Sequence, residues 1–355
     1  MGDLPKPDAA QRLARAKSRR GREQLEFTAH ELFAADRHAL TDAQYAILHD
    51  ILAALVLDLA ADLRDALSSL IPAVPEIAGE PVAGTFDVLF ASPALHDLEL
   101  VEAVRHRALA HRLATHLRAE RNGPGLLPDL CADPDPAIAQ PAESFAADIS
   151  SSLDPAGHRR LRITDLPPEV AEHLVLGVAA ALRHVMIEHH ADLDASQIDD
   201  GLEEVVQDHL PRLKATCGTM LRTPPVALAL KAANRIAAGP LTAALNGGEV
   251  TLFESLMAAA TGLRRKLVRR LFYEPGGECL AIMCTSLGFA RDEFAHIFAA
   301  GNPVRASNGG DASDLELALG AFDRLEAEDV AGVMRRWRRD PLYLNGLRLL
   351  AEPGS

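Results

Sequence analysis

The residues best able to do chemistry in this chain are cations. Arg265, Lys266, Arg269 and Arg270 recur at steps of one and four, which puts them on one arc of a helix, with Leu267, Val268, Leu271 and Phe272 opposite. Such an arc can grip phosphate or carboxylate oxygens through guanidinium N–H groups. The residues before it, Ala258-Ala-Ala-Thr-Gly-Leu-Arg, place Gly262 where a helix-turn-helix needs its tight turn. Residues 258–273 therefore read as a helix-turn-helix-like segment with the basic helix second. A base-reading helix would also carry Asn or Gln, and here there are only Arg and Lys. The competing reading is an ordinary solvated face in a stack of helices. A second basic run, Arg335, Arg336, Arg338 and Arg339, surrounds Trp337, and a third extends from Arg12 to Arg22. Either could meet an anionic surface, or remain a solvated end of the chain.

Histidines are the next candidates, since there are 14. His184 and Glu188 stand at i and i+4, with His189 and His190 beside them, and Glu293 with His296 forms one Glu-x-x-His. A carboxylate-bridged di-iron site needs two such pairs and two further glutamates, and the second pair is absent. His106, His111 and His116 are five residues apart, a rotation of about 140° per step, so they scatter around a helix. Surface and capping roles explain these histidines, and no metal or cofactor is expected. Cys131, Cys217, Cys279 and Cys284 contain no C-x-x-C pair and read as small buried hydrophobes. No H-E-x-x-H, P-loop, G-x-S-x-G or G-x-G-x-x-G signature occurs at a strand-to-helix junction. Glu274-Pro-Gly-Gly-Glu lacks the P-loop lysine and reads as a turn between helices. A catalytic role is not expected.

These groups must be carried by helices. Hydrophobic residues make up 48% of the 355 and aromatics only 4%, so the apolar mass is Ala, Leu and Val, which suits close-packed helices better than sheets. Leu48, Leu52, Leu55, Leu59, Leu63, Ala66 and Leu70 repeat every three or four residues, with Thr41 and Asp42 as capping chemistry and Pro72 as the stop. Similar spacing predicts helices over Leu98–Arg118, over Pro136–Ile149, from Asp165-Leu-Pro-Pro-Glu onward, and so on to about Ala300. Glycine, serine and asparagine gather between Gly301 and Asp314 and predict a mobile loop. The first 22 residues lack an apolar core, and the run Ile51–Leu57 is too short for a bilayer, so a cytoplasmic protein without a transmembrane segment is expected. The net charge of −14 argues against general polyanion binding.

Three stretches resemble a bacterial family known as domain of unknown function 2336. They are Leu166-Pro-Pro-Glu-Val-Ala-Glu-His-Leu and the residues after it to Arg183, Gly248-Glu-Val-Thr-Leu-Phe-Glu-Ser-Leu to Leu263, and Phe272-Tyr-Glu-Pro-Gly-Gly-Glu-Cys-Leu to Phe289. The likeness spans roughly residues 40 to 300. It implies a HEAT-like helical repeat with no assigned activity and no catalytic residue to transfer. A faint internal echo, Ala94-Leu-His-Asp-Leu-Glu-Leu-Val-Glu against Ala244-Leu-Asn-Gly-Gly-Glu-Val-Thr-Leu-Phe-Glu, agrees with stacked repeats.

The sequence thus predicts an all-α protein of stacked helix pairs. Its expected parts are a basic tail (1–22), an N-terminal helical domain (23–121), a proline-rich connection with short helices (122–157), a C-terminal helical domain (158–300), a flexible loop (301–314) and a helical cap (315–355). The expected role is non-catalytic protein–protein interaction, as a regulatory or scaffold module. Its contact surface would be formed by Arg265, Lys266, Arg269, Arg270, Arg335, Arg336, Arg338 and Arg339. A nucleic-acid-binding regulator using 258–273 is the alternative.

Overall fold

A computed structural model describes residues 23, 25–34, 40–72, 74–120, 125–151, 160–190, 194–218, 222–305, 312–340 and 343. The basic run from Arg12 to Arg22 lies outside the described residues, as do parts of the proline-rich connection and of the expected loop. Among the described residues every regular element is a helix and there is no strand, so the protein is all-α. In chain order the α-helices named below are α1 (Asp42–Leu70), α2 (Pro75–Gly79), α3 (Ala83–Phe90), α4 (Leu98–Glu120), α5 (Leu126–Cys131), α6 (Pro136–Ser151), α7 (Pro168–His189) and α8 (Ala195–Thr216). They continue as α9 (Pro225–Ala232), α10 (Ala238–Asn246), α11 (Val250–Thr261), α12 (Arg265–Phe272), α13 (Glu278–Ser286), α14 (Arg291–Arg305), α15 (Ala312–Asp323) and α16 (Ala327–Trp337).

The chain forms two compact units, each assembled from separated stretches of sequence. One contains Glu23–His111 and Asp148–Arg222, the other Arg112–Ala147 and Thr223–Ser355, so the division falls within α4 and α6.

In the first unit α1 is set by its capping box: the Thr41 hydroxyl accepts the Gln44 N–H while the Gln44 side chain accepts the Thr41 N–H. The predicted stripe is buried from Leu48 through Leu52, Leu55, Leu59 and Leu63, but its last turn is corrected: Leu67 is buried, while Ala66 is half-buried and Leu70 exposed; the stripe packs with Val170, Leu174, Val178 and Leu182 of α7 and Ile198 and Leu202 of α8. Each such Leu, once fully buried, contributes about 1.5–3 kcal/mol. Gly201 lies against the tips of Leu67 and Ile71 and lets α8 approach α1. By length and composition α7 could cross a bilayer, but 56% of its apolar window is buried inside the protein, as in a core helix.

Two charged contacts sit inside this apolar packing. Arg107 donates to Asp165 at 2.8 Å with both side chains buried, and the same carboxylate accepts the Arg162 N–H. Glu80, 1% exposed, holds two imidazoles at once: its oxygens lie 2.6 Å from His189 Nδ1 and 2.6 Å from His190 Nε2, while its backbone carbonyl accepts from Arg64. This clasp ties the end of α2 to the end of α7.

In the second unit α11 and α13 are buried on nearly every side, and α9, α10, α12 and α14 to α16 pack around them. Glu249, just before α11, accepts the N–H groups of Leu126 and Leu127 and so caps α5; burial raises its carboxyl pKa, and these two bonds oppose the rise. Gly277 has φ +71° and lies against the Phe298 ring, leaving no room for a side chain in the turn before α13.

One expected boundary moves. Gly301 to Arg305 continue α14 as helix instead of opening the loop, and Asp314 already belongs to α15. The cause is Arg305, whose Nε and Nη1 donate to the carbonyls of Phe272 and Phe298 and whose guanidinium lies over both rings. Gly301 supplies the space for that guanidinium, so the glycine read as a loop signal is a packing residue. Burial lowers the Arg305 pKa to about 10, which leaves it charged at neutral pH.

Replacing Arg107 with Met should destabilise the protein by about 3 kcal/mol, because buried Asp165 loses its closer counter-ion and keeps only the Arg162 guanidinium at 3.6 Å. Arg107→Met with Asp165→Asn should recover most of that loss in urea denaturation; no recovery would mean that the ion pair is not the source of the cost.

Candidate interaction surface

The eight cations singled out in the sequence do not share one environment. Arg265 is 2% exposed. Its Nη2 lies 3.4 Å from the Thr251 carbonyl and 3.9 Å from Glu254 Oε2. Arg269 Nε donates to the same Oε2 at 2.7 Å, and the Tyr273 hydroxyl donates to Glu254 Oε1. Glu254 is itself 1% exposed in the middle of α11. The expected outward arc of four cations is therefore corrected: Arg265 and Arg269 face inward, because a carboxylate buried in an apolar helix must be matched by charged donors. Glu254 was missed in the sequence, although it is the only charged residue between Val250 and Thr261.

Lys266 and Arg270 are half-buried. Arg335 and Arg339 are exposed, Arg336 is half-buried, and Trp337 between them is buried in the core. The two basic segments, more than 60 residues apart in sequence, meet at one corner. There the C-terminus of α11 meets the residues that follow α16. Arg338 Nε donates to the Thr261 carbonyl, the last of α11, at 2.9 Å, and Arg264 Nη2 donates at 3.4 Å to the Arg339 carbonyl, two residues past the end of α16. A helix C-terminus carries partial negative charge, and Arg338 offsets it at α11. Gly262, with φ +69°, makes the left-handed turn that ends α11, and its open side lies 3.5 Å from Arg338 Nε. The Arg264 pKa is lowered by burial and by the nearby Arg270, against an opposing pull from Asp340. Positive charge is thus concentrated here.

The α11–α12 connection has the short turn of a helix-turn-helix, yet two of the four cations on its second helix are bound to Glu254. The other candidates are dispersed. Glu293 accepts the Ala290 N–H, His296 meets Asn246, and His184 meets Glu188 along one helix. No group of three or more His, Cys, Asp or Glu able to hold a metal occurs among the described residues. Cys279 and Cys284 are buried, and burial pushes the Cys284 thiol pKa far above its ordinary value.

Fold and surface together define an all-helical protein with internally matched charges and one arginine-rich corner. The chain belongs to the bacterial family DUF2336, described as an uncharacterised protein conserved in bacteria, which it matches over residues 82–335. No curated protein and no solved structure matches it.

Structural and outward arginines should separate experimentally. Glu254→Gln should cost about 3–5 kcal/mol in urea denaturation, since Arg265 and Arg269 lose their buried counter-charge. Arg335→Ala and Arg339→Ala should leave the midpoint where it is; a large shift in either would make those residues structural.

Proposed function

We propose that this protein is a non-catalytic, HEAT-like helical module that binds another protein in the cytoplasm, as a regulatory or scaffold component. The observation that carries the reading is the convergence of residues 264–270 and 335–339 on one corner, with Arg270, Arg335 and Arg339 left to face a partner. Stacked helix hairpins favour this role, because loops and helix ends along one edge can vary while the packed faces are retained. The echoing stretches agree with the stacking only in part: each leads into a longer helix, at Leu98 from the 3-residue 3-10 turn Pro93–Leu95 and at Val250 from the 9-residue α10.

The test is affinity capture from native bacterial lysate, with and without nuclease, comparing wild type with an Arg270→Glu/Arg335→Glu/Arg339→Glu variant. The expected result is a stoichiometric protein that survives nuclease and is lost with the variant. Nuclease-sensitive recovery of nucleic acid would replace this reading with the regulator using 258–273, and a partner retained by the variant would move the contact surface elsewhere.

A further inference from the structure

We infer that the arginine corner takes a carboxylate-rich segment of its partner, an inference that rests on the protein-interaction reading above. The chain has 50 acidic and 36 basic residues, so carboxylates are plentiful. Several arginines elsewhere on the surface find them: Arg64 meets Asp65, Arg160 meets Asp58, Arg183 meets Asp199 and Arg291 meets Asp323, all within 3.1 Å. The buried Arg107 and the half-buried Arg269 also hold carboxylates. Arg112, Arg118, Arg222 and Arg324 stand without one among the described residues, at separate places, whereas at the corner such arginines gather. Among the described residues, no carboxylate stands within ion-pair distance of Arg264, Arg270, Arg335, Arg338 or Arg339; Asp340 acts on Arg264 only from farther away, and Arg264 and Arg338 donate to backbone carbonyls.

A carbonyl at a helix end carries only a fraction of a charge and uses one of the five guanidinium donors. The corner therefore keeps a net positive charge and free donors, which a full carboxylate can use in charge-assisted hydrogen bonds. The surrounding protein selects the size of the partner. An extended polyanion such as duplex DNA would also meet the field of a chain with net charge −14, whereas a short acidic segment contacts the corner alone.

Fluorescence anisotropy on the full chain tests this with a labelled short peptide of Glu and Ser, a peptide of the same length with Gln in place of each Glu, and a short DNA duplex. The expected result is saturable binding of the Glu peptide that is tighter than that of the Gln peptide or the duplex. It should weaken at least about tenfold between about 50 and about 300 mM salt. It should be lost in Arg270→Glu/Arg335→Glu/Arg339→Glu and weakened in Arg335→Ala/Arg339→Ala, both with unchanged thermal melting. Tighter binding of the duplex, or equal binding by the reversed variant, would overturn the inference. If neither peptide binds while the lysate partner is still lost on charge reversal, the acidic segment is wrong and the interaction reading stands; if both fail, the reading falls with it.

Discussion

A buried charge must be matched where it lies, and the second unit is arranged around that requirement at Glu254. A carboxylate 1% exposed in an apolar helix is sustained by the donors that Arg269, Tyr273 and Arg265 bring to it from α12 and the turn after it. This fixes the rotation of α12 against α11, and with it the side on which Arg270 emerges. It also places the turn at Gly262 where Arg338 reaches the end of α11. The first unit answers the same requirement with Arg107 on Asp165 and with two histidines on Glu80. A core built from Ala, Leu and Val supplies few side chains that anchor one helix to another by shape, and these ion pairs add a directional element.

Helices were legible from the sequence because their signals are local. The stripe from Leu48 to Leu63, the Thr41 cap, the proline starts at Pro136 and Pro168 and the glycine stop at Gly262 all act within a few residues, and the structure contains each. Pairing of helices was not legible. Periodicity shows which face is apolar and not which helix covers it, so nothing near Glu80 announces that its partners are 109 and 110 residues away. Arg305 shows the same limit: a cation after a Gly-rich stretch reads as a loop residue until the rings of Phe272 and Phe298 are brought to it.

The candidate site was legible in its residue types and only partly in its geometry. Helical spacing placed Arg265, Lys266, Arg269 and Arg270 on one arc, and that arc faces Glu254 through two of its members. The sign of the error was present in the sequence, since a single Glu within the apolar run of α11 requires donors and the nearest basic cluster follows it directly. The meeting of 264–270 with 335–339 had no such sign, because it depends on α13 and α14 bringing the last helices back to α11.

That meeting also bears on how a structural role and the proposed recognition role would coexist in the same residues. Arg338 compensates the last carbonyl of α11, and Arg264 the Arg339 carbonyl just beyond α16. Two full positive charges placed against two carbonyl dipoles overcompensate, and Arg270, Arg335 and Arg339 add more positive charge than Asp340 removes. The arrangement that stabilises the helix ends therefore leaves the corner positive on a chain that is otherwise acidic. An acidic partner would complete a balance that these carbonyl contacts began, and its contacts to Arg264 and Arg338 would be to guanidinium groups already oriented by the fold, so less side-chain entropy would be lost there than at Arg335 and Arg339.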